Sequence, residues 1–361
     1  MQSLGARSLD RPQDRFVTAR VADGRILHVE PDGLLYLGRA SDVLVSADDG
    51  ETWTELLRLP RSRAQGVAEP SRLIRRLLRH EARALAVLSD SQYVVSNRED
   101  VFYARAGDSE ARHSNMHPAG LVPRLPMRVS VGPNDTVVWG EYFGNLERRE
   151  VLIYASDDGG EHFEVAHVFP SGEVRHVHNV VYDEAVGHYW VMAGDYANEP
   201  GIGRLSRDFR DFEWVVKGSQ IHRAVALIDL GDYFLYGTDT EVETNHIMRF
   251  EKRTGRVESV HELEGSCLHG CRFGSVLAFS TTVEPSPVNQ SQEASLWLSR
   301  DGDSWSRVFQ AAKDSWSPRY FQYGSLVLPS GFSDREVILF SGQAVEGIDG
   351  KALAGRWEPG V

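Results

Sequence analysis

Hydrophobic positions along the chain come in short bursts. Runs of four to six apolar, β-branched or aromatic residues are broken by Gly, Asp, Asn and Ser, the pattern of strands joined by tight turns. Seven runs read alike: Leu34–Gly38, Tyr93–Asn97, Thr136–Gly140, Tyr189–Gly194, Tyr233–Gly237, Val276–Ser280 and Val337–Gly342. Each follows another apolar stretch and a turn, and their start positions lie about 43 to 61 residues apart. Four short strands with their turns fill that length, which is the unit of a β-propeller blade. Stacked units bury a continuous core that one unit cannot. The pattern therefore predicts an all-β fold: one β-propeller domain over residues 1–361, of four-stranded antiparallel blades. Seven blades are expected, with six as the alternative count because the second unit is irregular. A strand around Phe16–Arg20 is expected to close the ring beside the last blade, leaving no open sheet edge.

Helical periodicity is confined to Ser71–His80, after Pro70. Leu73, Ile74, Leu77 and Leu78 fall on one helical face and Arg72, Arg75, Arg76 and Arg79 on the other. This predicts a surface helix inserted at about 70–80 with its arginines in solvent.

A second repeat overlies the first. Ser46-Ala-Asp48-Asp-Gly50-Glu-Thr52-Trp53, Ser156-Asp-Asp158-Gly-Gly160-Glu-His-Phe163 and Ser299-Arg-Asp301-Gly302-Asp-Ser304-Trp305 each follow a strand, and Ser206-Arg-Asp208-Phe-Arg-Asp-Phe212-Glu-Trp214 is a degenerate fourth copy. Ser and Asp side chains can accept from turn amides, and Gly supplies positive φ. These segments resemble Asp-boxes, the Ser-x-Asp-x-Gly-x-Thr-Trp (BNR) hairpins of the sialidase-like propeller superfamily. The resemblance implies a propeller in which these hairpins are structural and lie away from the active face. The superfamily spans sialidases, other glycosidases, polysaccharide lyases and non-catalytic assembly factors, so activity must be argued from the site.

Composition narrows the function classes. With 39 Lys and Arg against 52 Asp and Glu, the formal charge is −13, which argues against general nucleic-acid binding. No run of about 18 apolar residues predicts a membrane span, and the polar Met1–Phe16 segment lacks a signal-peptide core, so a cytoplasmic location is expected. Cys267 and Cys271 are too few for a disulfide framework and, with His269, make an incomplete zinc set.

The arginines are placed against this acidic background. In a propeller the first strand of each blade lines the channel, and the residues leading into it gather at one mouth. Those positions carry Arg83, Arg124 with Arg128, Arg175 with His176 and His178, His222 with Arg223, His269 with Arg272, and Arg319 with Tyr320. Guanidinium forks match carboxylates, so an acidic saccharide is the expected partner, with Arg128, Arg175, Arg223, Arg272 and Arg319 as candidate substrate-binding residues. The alternative is that they pair with Glu141, Asp195 and Asp239, which end neighbouring strands. His176, His178, His222 and His269 could converge to hold a divalent metal. Elimination from a uronide needs a cation on the carboxylate, a base and an acid. His178, His222 and Tyr320 are the candidate catalytic groups, and in residue types the set resembles that of propeller-type uronide lyases. A sialidase reading casts Arg223, Arg272, Arg319 and Tyr320 in other roles, but the nearest Arg-Ile-Pro counterparts, Arg58-Leu-Pro60 and Arg124-Leu-Pro126, both follow the first Asp-box. The functional expectation is glycan cleavage by elimination or hydrolysis; the alternative is a non-catalytic binding or assembly module.

Overall fold

The computed structural model describes residues 15–79, 81–116 and 125–358. Each apolar run is a strand: Leu35–Arg39, Tyr93–Ser96, Val137–Gly140, His188–Ala193, Tyr233–Thr238, Val276–Val283 and Ile338–Gln343. Each lies antiparallel between a preceding and a following strand. Packing on both faces explains why these runs are apolar throughout; Trp139, Trp190, Tyr236 and Phe279 are among the largest fully buried side chains.

Residues 84–113, 177–217 and 224–263 each form a four-stranded antiparallel sheet. Residues 130–169 form a fourth such meander, to which Asn115–Met116 adds a parallel edge strand. Thirteen strands join in one larger sheet, because Ser330–Ser333 pairs in parallel with both Arg25–Val29 and Ser266–Phe273. The inner strands Arg25–Val29, Ala84–Val87, Ser130–Val131, Val177–Asp183, Ala224–Asp229, Ser266–Phe273 and Ser330–Ser333 touch one another in that order, and the last touches the first, closing a ring. The strand Arg15–Asp23 pairs antiparallel with Lys351–Glu358 along nearly its whole length.

The Ser/Asp turns join third to fourth strands within their sheets. In the first, Ser46 Oγ accepts from the Gly50 amide at 3.0 Å and Asp48 Oδ1 from the Thr52 amide at 2.9 Å. Trp53 folds back to donate from Nε1 to the Gly50 carbonyl at 3.0 Å. Gly50 sits at φ +90°, which only glycine adopts without strain. The Ser156 and Ser299 copies repeat the Ser and Asp bonds. In the degenerate copy Phe209 takes the positive φ, +61°. Antiparallel pairing puts these turns at the opposite end of each sheet from the loops between second and third strands.

The insertion holds two helices, α1 (Arg63–Ala68) and α2 (Arg72–Leu78), and α2 is reversed relative to the amphipathic expectation. Its arginines face the body of the protein. Arg76 is 2% exposed, bonding Asp314 at 2.5 Å and Gln322 at 3.2 Å, while Arg72 bonds Asp349 and Glu81, and Arg75 bonds Glu81. Leu73, Ile74, Leu77 and Leu78 are exposed instead. Half-buried acids under the helix dictate this orientation, because carboxylates out of water need cations more than leucines need cover. Among the described residues no helix is long and apolar enough to cross a membrane.

Candidate functional site

A cavity of about 960 Å³ opens at the end of the ring where chains enter the inner strands. None of the Ser/Asp turn residues lines it. At the start of Val177–Asp183 a β-bulge between Val177 and Asn179 re-aims the backbone. The two-residue spacing, with this bend, brings His176 and His178 to one side. His176 Nδ1 donates to the Phe143 carbonyl at 3.0 Å and His178 Nδ1 to the Ala224 carbonyl at 2.9 Å. These bonds commit both Nδ1 protons and leave the Nε2 atoms facing each other across 3.0 Å. Asp195 Oδ1 completes a triangle, 3.1 Å from one and 3.0 Å from the other. All three residues are buried.

Asp195 follows the second strand of the same sheet. Gly194, at φ +86°, makes the turn; a Cβ there would lie 2.4 Å from the Glu199 carbonyl oxygen. Gln220 Nε2 donates to the Asp195 carbonyl at 2.8 Å, and Arg175 donates to Asp195 Oδ2 at 3.1 Å. Burial opposes the carboxylate charge, but the two imidazoles beside it overcome that and hold Asp195 far below the usual carboxylate range. Burial also pushes His176 below its ordinary value.

Two imidazole nitrogens and a carboxylate oxygen, with their other donors anchored on carbonyls, form a donor set suited to a divalent transition metal. Three lone-pair-bearing atoms at about 3 Å repel unless a proton or a cation lies among them. The surrounding charge points the same way. Asp195, Asp239, Glu241 and Glu284 outnumber Arg175 and Arg223 on this side of the cavity. Arg223 is shared among Asp195, Asp239 and Glu241, at 3.3, 3.6 and 2.5 Å. Glu284 is pushed up to about 7, first by burial and then by Asp239.

The opposite wall is cationic. Arg25, Arg83 and Arg128 line it. Arg128 reaches across to the Leu268 carbonyl at 2.8 Å and to His269 Nδ1 at 2.9 Å. Burial and these arginines keep His269 neutral, well below its ordinary value. Between the two sides stands Tyr142, its ring 5.7 Å from the Arg83 guanidinium and 4.1 Å from the His176 ring. Burial and Asp239 hold its phenol protonated.

The sequence candidates thus separate by place. His176 and His178 come together with Asp195, while His269 stands apart against Arg128, and His222 is outside the cavity lining, burial having lowered its basicity. Arg128, Arg175, Arg223 and Arg319 line the cavity. Arg272 does not; it lies over the Phe332 ring at 4.4 Å and 3.7 Å from Asp334. Tyr320 is 58% exposed on the loop beside the mouth, with the Arg319 guanidinium 5.6 Å from its ring. Arg124 lies outside the described residues. Arg25, Tyr142 and Glu284 escaped the sequence reading. A signal for Glu284 was present: Glu141, Asp195, Asp239 and Glu284 each lie one or two residues past a second strand.

No family model and no curated protein sequence matches the chain. Solved structures do match in fold. "Oligogalacturonate lyase in complex with manganese" superposes with a TM-score of 0.65 at 10% identity, covering 96% of this chain and 97% of that one. The extracellular domain of a B. thetaiotaomicron protein described as a one component system gives 0.58 at 10% identity, over 96% of this chain and 42% of that one. A chain of the mitotic checkpoint complex gives 0.57 at 10% identity, over 99% and 95%. At such identities the likeness defines the fold alone: the chain is a β-propeller.

Proposed function

We propose that this propeller cleaves an acidic, uronate-type oligosaccharide by elimination, at a divalent metal held by His176, His178 and Asp195. The observation that carries this reading is the triangle of His176 Nε2, His178 Nε2 and Asp195 Oδ1, with sides of 3.0–3.1 Å, of which His176 and Asp195 line the arginine-bearing cavity and His178 lies behind them. When bound there, a divalent cation would draw charge from a substrate carboxylate and acidify the proton α to it. The chain's own groups supply the rest. Arg175 stands beside Asp195 to orient that carboxylate. Glu284 exchanges a proton near neutral pH, which suits a general base. In the elimination the C5–H bond breaks, its electron pair forms the C4–C5 double bond, and the C4–O bond opens. The leaving oxygen takes a proton, for which the protonated Tyr142 is the donor at hand. The fold likeness to the manganese-bound lyase structure supports the reading.

We read the architecture as one seven-bladed domain of the Asp-box, sialidase-like type. The closed ring of seven inner strands and the recurrent Ser/Asp hairpins support this.

The test is incubation with acidic oligosaccharides and Mn²⁺, following ultraviolet absorbance of a 4,5-unsaturated product together with sugar release. Unsaturated product that disappears with EDTA or with Asp195→Asn is expected. Sugar release without the double bond would instead indicate hydrolysis. One observation favours the second reading, a binding or assembly module: the exposed apolar stripe of α2 offers a protein-contact surface. Lack of turnover on any uronide would favour it.

A further inference from the structure

We infer that Arg25, Arg83 and Arg128 form a second acid-binding subsite at the floor of the cavity, so that the ligand carries at least two carboxylates. This rests on the uronate reading above and specifies the size of its substrate. Among the described residues, none of the three guanidiniums has a carboxylate within ion-pair distance. Arg25 bonds the Gln343 amide oxygen, Arg128 bonds a carbonyl and an imidazole, and Arg83 lies over the Tyr142 ring. Glu81, the acid that acts most strongly on Arg25, is itself bonded by Arg72 and Arg75. The cations instead weaken one another: burial first, then neighbouring arginines, bring Arg25 and Arg128 down to about 10.

A folded protein rarely keeps unpaired guanidiniums together out of bulk water without a use, because their desolvation and mutual repulsion oppose folding. The cations on the metal side differ. Arg175 and Arg223 already have Asp195, Asp239 and Glu241. An anion entering the cavity therefore meets two distinct demands, a cation-binding wall on one side and uncompensated guanidiniums on the other. Tyr142, in contact range of both Arg83 and His176, fixes the two sides close enough for one ligand to span them. The volume, about 960 Å³, is near the top of the range for small-molecule pockets, roughly 300–1,000 Å³. Guanidinium forks bind carboxylates bidentately, so the group taken at the floor is a planar carboxylate on the neighbouring uronate unit.

The experiment compares a uronic acid monomer with its dimer by calorimetric titration in EDTA, then follows product from the dimer with Mn²⁺. Wild type should bind the dimer at least about tenfold tighter than the monomer. Arg83→Gln and Arg128→Gln should each lose about that factor for the dimer, while melting no lower than wild type because a buried repulsion is relieved. Equal affinity for monomer and dimer in wild type, which needs no variant, would overturn the floor subsite. So would dimer affinity unchanged in both variants, or no binding of either sugar. Dimer binding that depends on the arginines but yields no unsaturated product with Mn²⁺ would uphold the floor and remove the elimination reading. Product formation with affinity indifferent to both arginines would do the reverse.

Discussion

His176 and His178 hold their Nε2 atoms 3.0 Å apart, and neither ring can turn away without giving up a hydrogen bond to a buried carbonyl. The sequence spacing of two residues brings them to one side, the bulge adjusts their aim, and the carbonyls of Phe143 and Ala224 select the tautomer. Preorganisation of this kind serves a cation better than it serves stability, since the contact is repulsive between bare lone pairs.

Removing a ligand of the triangle should therefore weaken cation binding, and removing the Asp195 charge should also lower stability when no metal is present. With Mn²⁺ titrated by calorimetry, wild type is expected to bind one equivalent, and His176→Ala or Asp195→Asn to weaken it by more than about 100-fold. Without metal, Asp195→Asn should cost about 3–5 kcal/mol, because Arg175 and Arg223 lose a buried partner. Urea denaturation in EDTA reads this directly; a variant as stable as wild type would contradict the assigned pairing.

Glu284 gives the protein a stability slope with pH. Its folded value, about 7, is above the ordinary 4.5. Between these limits the folded state holds a proton that the unfolded chain has released. Stability should thus fall as pH rises from about 4.5 to 7, by up to about 1.4 kcal/mol per pH unit from this group, and level off above. Glu284→Gln should flatten that part of the curve in metal-free melts. A wild-type slope unchanged by the substitution would dismiss Glu284 as its source.

The reversed helix α2 predicts an inverted mutational profile. Arg76→Ala strips Asp314 of a partner and should cost about 1–3 kcal/mol, with faster proteolysis between residues 61 and 80. Leu77→Ser, half exposed on the apolar stripe, should change stability by less than about 0.5 kcal/mol. Thermal melts of the two variants are sufficient to compare them.

The Ser/Asp hairpins should prove structural. Asp48→Ala removes acceptors for the Thr52 amide and hydroxyl and is expected to lower the melting temperature slightly. Gly50→Ala places a Cβ 2.9 Å from Val21 Cβ at φ +90° and should cost about 1–3 kcal/mol. Metal affinity should stay at the wild-type level in both, since neither residue lines the cavity.

The strands were legible because their signal is local: a segment packed on both faces must be apolar along its length, so the seven runs could be read one by one. The Asp-box turns were legible for the same reason, since each bonds within eight residues. The candidate site was only half legible. The His-x-His spacing pointed to His176 and His178, but Asp195 had to be brought in by the neighbouring strand, and His222 and His269 occupy comparable positions without aiming at the same point. Whether an arginine is paired is a tertiary property. Arg223 and Arg83 look alike in sequence, yet one is shared by three carboxylates and the other has none among the described residues. Helix α2 misled because periodicity tells which residues share a face and is silent on which face the acids beneath it demand.

The clasp between Arg15–Asp23 and Lys351–Glu358 has a bearing on how the molecule is made. Its two partners are separated by more than 300 residues of sequence, so this pairing forms only after both segments and all that lies between them are in place. Until then Arg15–Asp23 has no partner strand to pair with. Folding dominated by so distant a pairing is slow and exposed to misassociation.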